Sequence, residues 1–169
     1  MYSLRSLSKD FQDTATELKS ILIELSNEPK SFKRDVLIEG CFLKFIVCWE
    51  NFTEEYFLAC MCGARTKTNK KIKPKYSSSP NKKEAFKKLD SNRKSRETDY
   101  IDWLNIEKLK QFSQDYFREN SRVHILYEDP NILYQIKIIR NHIAHNSEKS
   151  LKKFKEFIIH QVGSRGSSK

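Results

Sequence analysis

Three polar side chains near the C-terminal end, Arg140, Asn141 and His145, stand in a stretch that is otherwise mostly apolar. The apolar residues around them recur at three- and four-residue spacing and are Ile132, Leu133, Ile136, Ile139, Ile143 and Ala144. This spacing predicts a helix over residues 130–145 with one buried stripe. Because burying polar groups without partners is costly, the three polar side chains must be paired or used for function.

The residue types suit phosphate chemistry. His145 can transfer protons near neutral pH, and the Arg140 guanidinium presents a planar, permanently charged fork to a phosphate. On a helix, Asn141 and His145 share a face, whereas Arg140 is turned about 140° from His145 and lies about 7.5 Å along the axis. One helix does not close these groups into a site. Two copies crossing at a two-fold axis can do so, which predicts a homodimer formed through residues 130–145.

A family resemblance is carried by the segment Arg140-Asn141-His142-Ile143-Ala144-His145. It resembles the Arg-x4–6-His motif of the HEPN superfamily in its Arg-Asn-x-x-Ala-His form. Members of that superfamily are small helical bundles, usually dimeric, and many are metal-independent RNases of toxin–antitoxin and anti-phage systems. The resemblance therefore implies cleavage of RNA by Arg140 and His145, with Asn141 orienting the imidazole or a phosphate oxygen. The implied products are a 2′,3′-cyclic phosphate or 3′-phosphate and a 5′-hydroxyl.

Other residues bear on this assignment. Glu50 follows a long apolar run, and it is either a surface carboxylate or an acid that pairs with Arg140, as some HEPN proteins have. His142 is two residues from Arg140 and is expected to face elsewhere, with a minor supporting role as the alternative. HEPN toxins neutralised by a nucleotidyltransferase antitoxin commonly have Tyr two residues after the motif His. That position is Ser147 here, so the resemblance to that subgroup fails.

A second Arg-x5-His spacing runs from Arg118 to His124. It passes through Glu119, Asn120 and Ser121, a composition that ends helices, and has no apolar stripe around it. We therefore expect His124 at the edge of the core and outside any catalytic site.

The rest of the chain predicts an all-α, HEPN-like bundle of four to five main helices. Apolar periodicity indicates helices over residues 4–26, 31–62, 105–119, 130–145 and 150–161, and only four Gly and four Pro are present. The middle of the second helix, residues 41–49, is apolar almost all round, which predicts a central helix. We assign residues 1–162 to one domain and residues 163–169 to a disordered tail. The four cysteines are expected to be reduced structural thiols.

Residues 63–96 form a basic insertion. They contain 13 Lys and Arg against 2 acidic residues, a net +11, whereas the remaining 19 basic and 20 acidic residues give −1. The sequence around Pro74 and Pro80 predicts a partly mobile loop, and Asn81 can cap a short helix. Such concentrated charge is typical of RNA binding, with a solvated loop or an acidic protein partner as alternatives. The predicted RNA-binding residues are Lys70, Lys71, Lys73, Lys75, Lys82, Lys83, Lys87 and Lys88.

Together these features favour a metal-independent endoribonuclease without a cofactor, acting as a toxin or an anti-phage effector. The alternatives are a non-catalytic HEPN module that binds a nucleotide or RNA, and a helical protein-interaction module. Expected partners are RNA, a second copy and an antitoxin or defence-system protein. The absence of long apolar runs and of a signal-peptide pattern predicts no membrane association and a cytoplasmic location.

Overall fold

A computed structural model describes residues 3–66, 68–91, 101–145 and 147–166, and side chains up to residue 160 except that of residue 91. The protein is all-α, as predicted. The described residues form six α-helices and one 3₁₀ helix. The α-helices are α1 (Leu4–Asn27), α2 (Phe32–Met61), α3 (Lys82–Ser91), α4 (Ile106–Tyr116), α5 (Pro130–His145) and α6 (Glu148–Gly166). The 3₁₀ helix spans Arg122–Tyr127.

The helices begin where capping side chains satisfy free backbone N–H groups. Ser3, Ser31 and Asn105 each accept from the third residue beyond, at the starts of α1, α2 and α4. Asn81 Oδ1 accepts from the backbone N–H of Glu84 at 2.9 Å, so the predicted cap of the short helix α3 is confirmed. The last helix is longer than predicted: α6 continues through Gly166, and only residues 167–169 of the predicted tail lie outside the described residues.

Helix α2 is central, since α1, α3, α5 and the 3₁₀ helix all pack against it. Its C-terminal part is the most buried segment, with Thr53 and residues 56–61 all inaccessible or nearly so. Around Phe57, the rings of Trp103, Phe112 and Phe117 lie with centroids 5.3–6.4 Å away, mostly tilted or edge-on. We call residues 53–61 and the side chains packed on them the dense end.

The described part of the basic insertion belongs to this core. Ile72, Ala85 and Leu89 are buried against the dense end, and the backbone N–H of Ser79 donates to the carbonyl oxygen of Met61 at 2.9 Å. The loop has no regular structure over residues 73–80, as expected. It is nevertheless attached to the core by its few apolar residues, while all but one of its described lysines are exposed. Residues 67 and 92–96 of the insertion lie outside the described residues.

The other end of the molecule is more open. A second, smaller buried cluster of Ile46, Leu104 and Leu133 joins α2 to α5. Residues 41–49 of the central helix are apolar almost all round but are not buried all round, because Ile46 alone is buried there and Val47 remains 50% exposed. The reason is that α2 has neighbours on only part of its circumference at this end. We call this region, made of α1, residues 32–49 of α2, α5 and α6, the open end.

Candidate functional site

Helix α5 has the predicted bounds and lies between two local caps. Asp129 Oδ1 accepts from the backbone N–H groups of Asn131 and Ile132, each at 3.1 Å, where the helix begins. Beyond its end, Ser147 and Ser150 cap α6 reciprocally: each hydroxyl accepts from the other's backbone N–H, at 3.3 Å and 3.0 Å. The segment from 140 to 145 therefore occupies the last turns before the corner between α5 and α6.

The apolar stripe of α5 is only partly buried by its own chain. Leu133 is 5% exposed, but Ile132 is 52% exposed and Ala144 is exposed. Ile136, Ile139 and Ile143 are intermediate. The chain thus leaves apolar surface on this helix uncovered.

A single chain does not bring Arg140 and His145 together. Arg140 is half-buried on the same face as Leu133, seven residues earlier, and its Nη1 donates to Asn141 Oδ1 at 3.1 Å. His145 is exposed and has no hydrogen bond to any residue that the structure describes. The predicted contact between Asn141 and the imidazole is likewise not formed, because the Asn141 amide oxygen accepts from Arg140.

The face of α5 that carries His145 is exposed at its two ends and partly buried between them, at Ile138 and Asn141. Tyr134, Ile138, Asn141 and His145 follow one another at four-, three- and four-residue spacing, so they form one stripe along the helix. Tyr134 is 62% exposed and His145 is exposed, which places solvent-accessible groups at both ends of this stripe. We call these four residues the free face of α5.

His142 is directed toward α6. Its ring stacks on that of Phe154, with the centroids 4.3 Å apart and the planes inclined by 13°. Its Nδ1 is buried and has no hydrogen-bond partner among the described residues. His142 therefore packs in the corner between α5 and α6.

The structure does not pair Glu50 with Arg140 within the described part of one chain. Trp49 and Ile136 pack together against the small cluster that joins α2 to α5. Glu50 follows Trp49 and is turned from it by about 100° around the helix. Asp102 forms an ion pair with α5, since its Oδ2 accepts from Lys137 Nζ at 2.7 Å.

Of the eight predicted RNA-binding lysines, four interact with other residues of the chain, one is exposed and three line a groove. Lys82 forms an ion pair with Glu55, Lys87 one with Glu84 at 3.0 Å, and the Lys75 ammonium donates to the Gln114 carbonyl oxygen. Lys88 also has an interaction within the chain, and Lys83 is exposed. The remaining three, Lys70, Lys71 and Lys73, line a groove together with Arg118 and Arg122.

The two arginines of that groove were not found from the sequence. In the sequence, Arg118 was considered only because of its Arg-x5-His spacing from His124. In the structure, His124 has a structural role. His124 Nε2 lies 2.9 Å from the Arg118 carbonyl oxygen, and His124 Nδ1 is hydrogen-bonded to the Tyr127 hydroxyl. These contacts fix the turn before the 3₁₀ helix, so His124 is a structural residue, as expected.

The cysteines are all free thiols. Cys60 is buried, and this burial, with the neighbouring Cys62 as a smaller contribution, raises the pKa of its thiol. Within the described ranges, no group of three or more His, Cys, Asp or Glu side chains is placed to hold a metal ion.

Comparisons with known proteins return no match, whether to protein-family models, to curated proteins or to solved structures. The HEPN resemblance therefore rests on residues 140–145 and on the order of the helices before them. No helix among the described residues has the length and apolar content needed to cross a bilayer.

Proposed function

We propose that the protein is a metal-independent endoribonuclease of HEPN type, acting as a toxin or an anti-phage effector. The single observation that carries this proposal is the placement of Arg140 and His145 at the exposed end of α5, on different faces of the helix. An arginine and a histidine in this arrangement cannot act on the same phosphate within one chain. They are available to a phosphate and to a second copy.

The free face of α5 supports a site shared between two copies. In a two-fold dimer through this face, each copy places its Asn141 and His145 against the other helix. Tyr134 and Ile138 supply the apolar contacts, and the uncovered part of the apolar stripe adds to them. Ala144 is exposed and small, so it allows the two backbones to approach closely. Two Arg140 and two His145 side chains then surround one site.

Such a pair of motifs contains the groups that metal-free RNA cleavage requires. One His145 imidazole removes the proton of a ribose 2′-hydroxyl, and the 2′-oxygen attacks the adjacent phosphorus. The bond from phosphorus to the 5′-oxygen breaks, and the imidazolium formed in the first step protonates that oxygen. Arg140 stabilises the charge on the phosphorane with its fixed N–H donors. The products are a 2′,3′-cyclic phosphate and a 5′-hydroxyl, and no metal or cofactor takes part in these steps.

The test is RNA cleavage in EDTA, comparing the unmodified chain with His145→Ala and Arg140→Ala. His160, exposed on α6, provides the matched control His160→Ala. We expect His145→Ala to reduce the cleavage rate by about 10²–10⁴, the usual contribution of a general acid or base. Arg140→Ala is expected to cost about 10²–10³, comparable to the loss of one oxyanion donor. His160→Ala should cleave normally, and end-group analysis should find cyclic phosphate.

Two results would contradict the proposal. Cleavage that survives both substitutions would place the chemistry elsewhere in the chain or in a contaminant. Failure of the unmodified chain to cleave diverse RNAs, with salt-sensitive binding retained, would favour the non-catalytic binding module instead.

A further inference from the structure

A basic groove lies away from the end of α5, between the start of the insertion and the turn that precedes the 3₁₀ helix. It encloses about 590 Å³. Five cations line it, Lys70, Lys71, Lys73, Arg118 and Arg122, and its other lining residues are uncharged. Among the residues that the structure describes, no acidic side chain and no aromatic ring lines it.

The first wall is a tight turn formed by residues 64–66 and 68–72. The backbone N–H of Thr66 donates to the Lys70 carbonyl oxygen at 2.9 Å. The backbone N–H of Ile72 donates to the Ala64 carbonyl oxygen at 2.8 Å. Asn69 has a φ of +59°, a left-handed conformation that asparagine tolerates, and its carbonyl oxygen accepts from Arg65 Nη1 at 2.8 Å. Because Ile72 is buried at its base, this wall is fixed to the core.

The second wall is the chain between α4 and the 3₁₀ helix. Its base is tied to the insertion, since the backbone N–H of Lys75 donates to the Tyr116 carbonyl oxygen at 2.8 Å and Pro74 is bridged to Phe117. Above this, the Ser121 N–H donates to the Arg118 carbonyl oxygen at 2.9 Å. Both walls therefore stand on buried residues and are hydrogen-bonded turns, which reduces the ordering cost of binding.

The five cations of the groove have no carboxylate partner among the residues that the structure describes. This distinguishes them from Lys82 and Lys87, which are neutralised by Glu55 and Glu84. Clustering of five positive charges without counter-charges is unfavourable in the isolated chain and is relieved by a polyanion. The nearby Thr, Asn and Ser side chains add neutral groups that can hydrogen-bond phosphate and sugar oxygens.

We infer that this basic groove binds the sugar–phosphate backbone of single-stranded RNA. The inference rests on the proposed function and gives the enzyme a substrate-binding site separate from its cleavage site. Since no aromatic ring of the described residues lines the groove, it contacts phosphates without stacking on bases, and its binding is insensitive to sequence. Arg122 begins the 3₁₀ helix that leads to α5, and Arg140 lies about 15 Å beyond the start of α5.

The test measures binding of 2′-O-methyl oligouridine, which lacks the attacking hydroxyl and cannot be cleaved by the proposed chemistry. The variant is the full chain carrying Lys70→Gln, Arg118→Gln and Arg122→Gln, all at exposed positions. The matched control replaces three exposed lysines at the far ends of α1 and α2: Lys19→Gln, Lys30→Gln and Lys33→Gln. Both variants lose the same charge, so a difference between them reports position and not net charge.

The expected result follows from counterion release, about 0.7 per phosphate contact for a single strand. With five contacts, the slope of log K against log salt is about −3.5 for the unmodified chain. Removing three contacts makes this slope less negative by about 2 in the groove variant. At about 0.1 M salt this corresponds to roughly 100-fold weaker binding. The control variant should bind nearly as the unmodified chain does. Equal losses in both variants would overturn the inference, as would polyglutamate competing as strongly as RNA.

This outcome is separable from that of the cleavage test. If groove substitutions leave RNA binding unchanged while His145→Ala abolishes cleavage, the groove assignment is wrong and the proposed nuclease stands. If the groove variant loses binding although the unmodified chain cleaves nothing, the groove assignment stands and the nuclease proposal is wrong.

Discussion

Residues 53–61 of α2 and residues 32–49 of the same helix differ in burial although both are rich in apolar side chains. At the dense end, Phe57, Ala59 and Cys60 have no measurable exposure. At the open end, Val36, Leu37 and Val47 are each more than 40% exposed. The difference comes from the neighbours: α4, the insertion and the 3₁₀ helix cover the dense end, whereas α1 and α5 cover only part of the open end.

The exposed apolar side chains follow the same division. Among the described residues, ten of the twelve large exposed apolar side chains lie in the open end. They are Ile21, Ile23, Phe32, Val36, Leu37, Val47, Ile132, Tyr134, Ile158 and Ile159. Apolar surface of this extent marks an interaction surface in many soluble proteins. The comparison teaches that the dense end is covered by its own chain, while the open end, which carries the proposed cleavage site, has the surface on which we propose that a second copy binds.

The largest effect is expected from removing a side chain at the dense end. Phe57→Ala deletes a ring that is fully buried among Trp103, Phe112 and Phe117, and we expect it to lower the free energy of unfolding by about 3–5 kcal/mol. Val47→Ala in the same helix should cost less than about 1 kcal/mol, because Val47 is 50% exposed. Urea denaturation at low protein concentration measures both. Similar costs for the two variants would contradict the division into a dense and an open end.

A smaller effect is expected on association through the free face of α5. Tyr134→Asp places a charge in the proposed dimer contact, and we expect it to weaken the dimer by about 2 kcal/mol, roughly 30-fold in Kd. Tyr76→Asp is the matched control, since Tyr76 is a comparably exposed tyrosine in the insertion, 71% against 62% for Tyr134. Sedimentation over a range of concentrations reports the change. Dissociation of the dimer in the Tyr76 variant alone would place the contact elsewhere.

The smallest effect concerns the alkaline limit of the dense end. Burial in α2, with Cys60 close by, raises the pKa of Tyr56 to about 12. Because the folded state holds this proton more tightly than the unfolded state does, the stability it contributes is complete below pH 10. That contribution is lost as the pH rises toward 12. Tyr56→Phe should therefore reduce the alkaline loss of stability, as measured by urea denaturation at pH 9 to 12. An unchanged pH dependence would show that Tyr56 titrates normally.

The helices were predictable because their signals are local. The cap at Asn81 and the periodicity of residues 130–145 lie within a few residues of the helices that they define. Which faces of a helix remain uncovered is harder to predict from the sequence. A run such as residues 41–49 shows that a helix is apolar, but the number of neighbours that cover it depends on the packing of distant segments.

The candidate sites were likewise predictable only where their residues are close in sequence. The sequence identified Arg140, Asn141 and His145 because they belong to one helix, and helical geometry already separated Arg140 from His145. It did not identify the basic groove, because Lys70 and Arg118 are 48 residues apart and are brought together by contacts between distant segments, such as the bridge between Pro74 and Phe117. The sequence likewise does not distinguish Lys82 from Lys70. In the structure, Lys82 forms an ion pair with Glu55, whereas Lys70 lines the groove.

The most direct test of the central claim is complementation between two inactive chains. Arg140→Ala and His145→Ala chains with different tags are coexpressed, and the mixed dimer is isolated by two affinity steps. If the cleavage site is shared across the free faces of α5, the mixed dimer has one Arg140 and one His145 at that site, from different chains. We predict that it cleaves RNA in EDTA and that neither homodimer does. A mixed dimer as inactive as both homodimers, with the same RNA binding as the unmodified protein, would contradict a shared site.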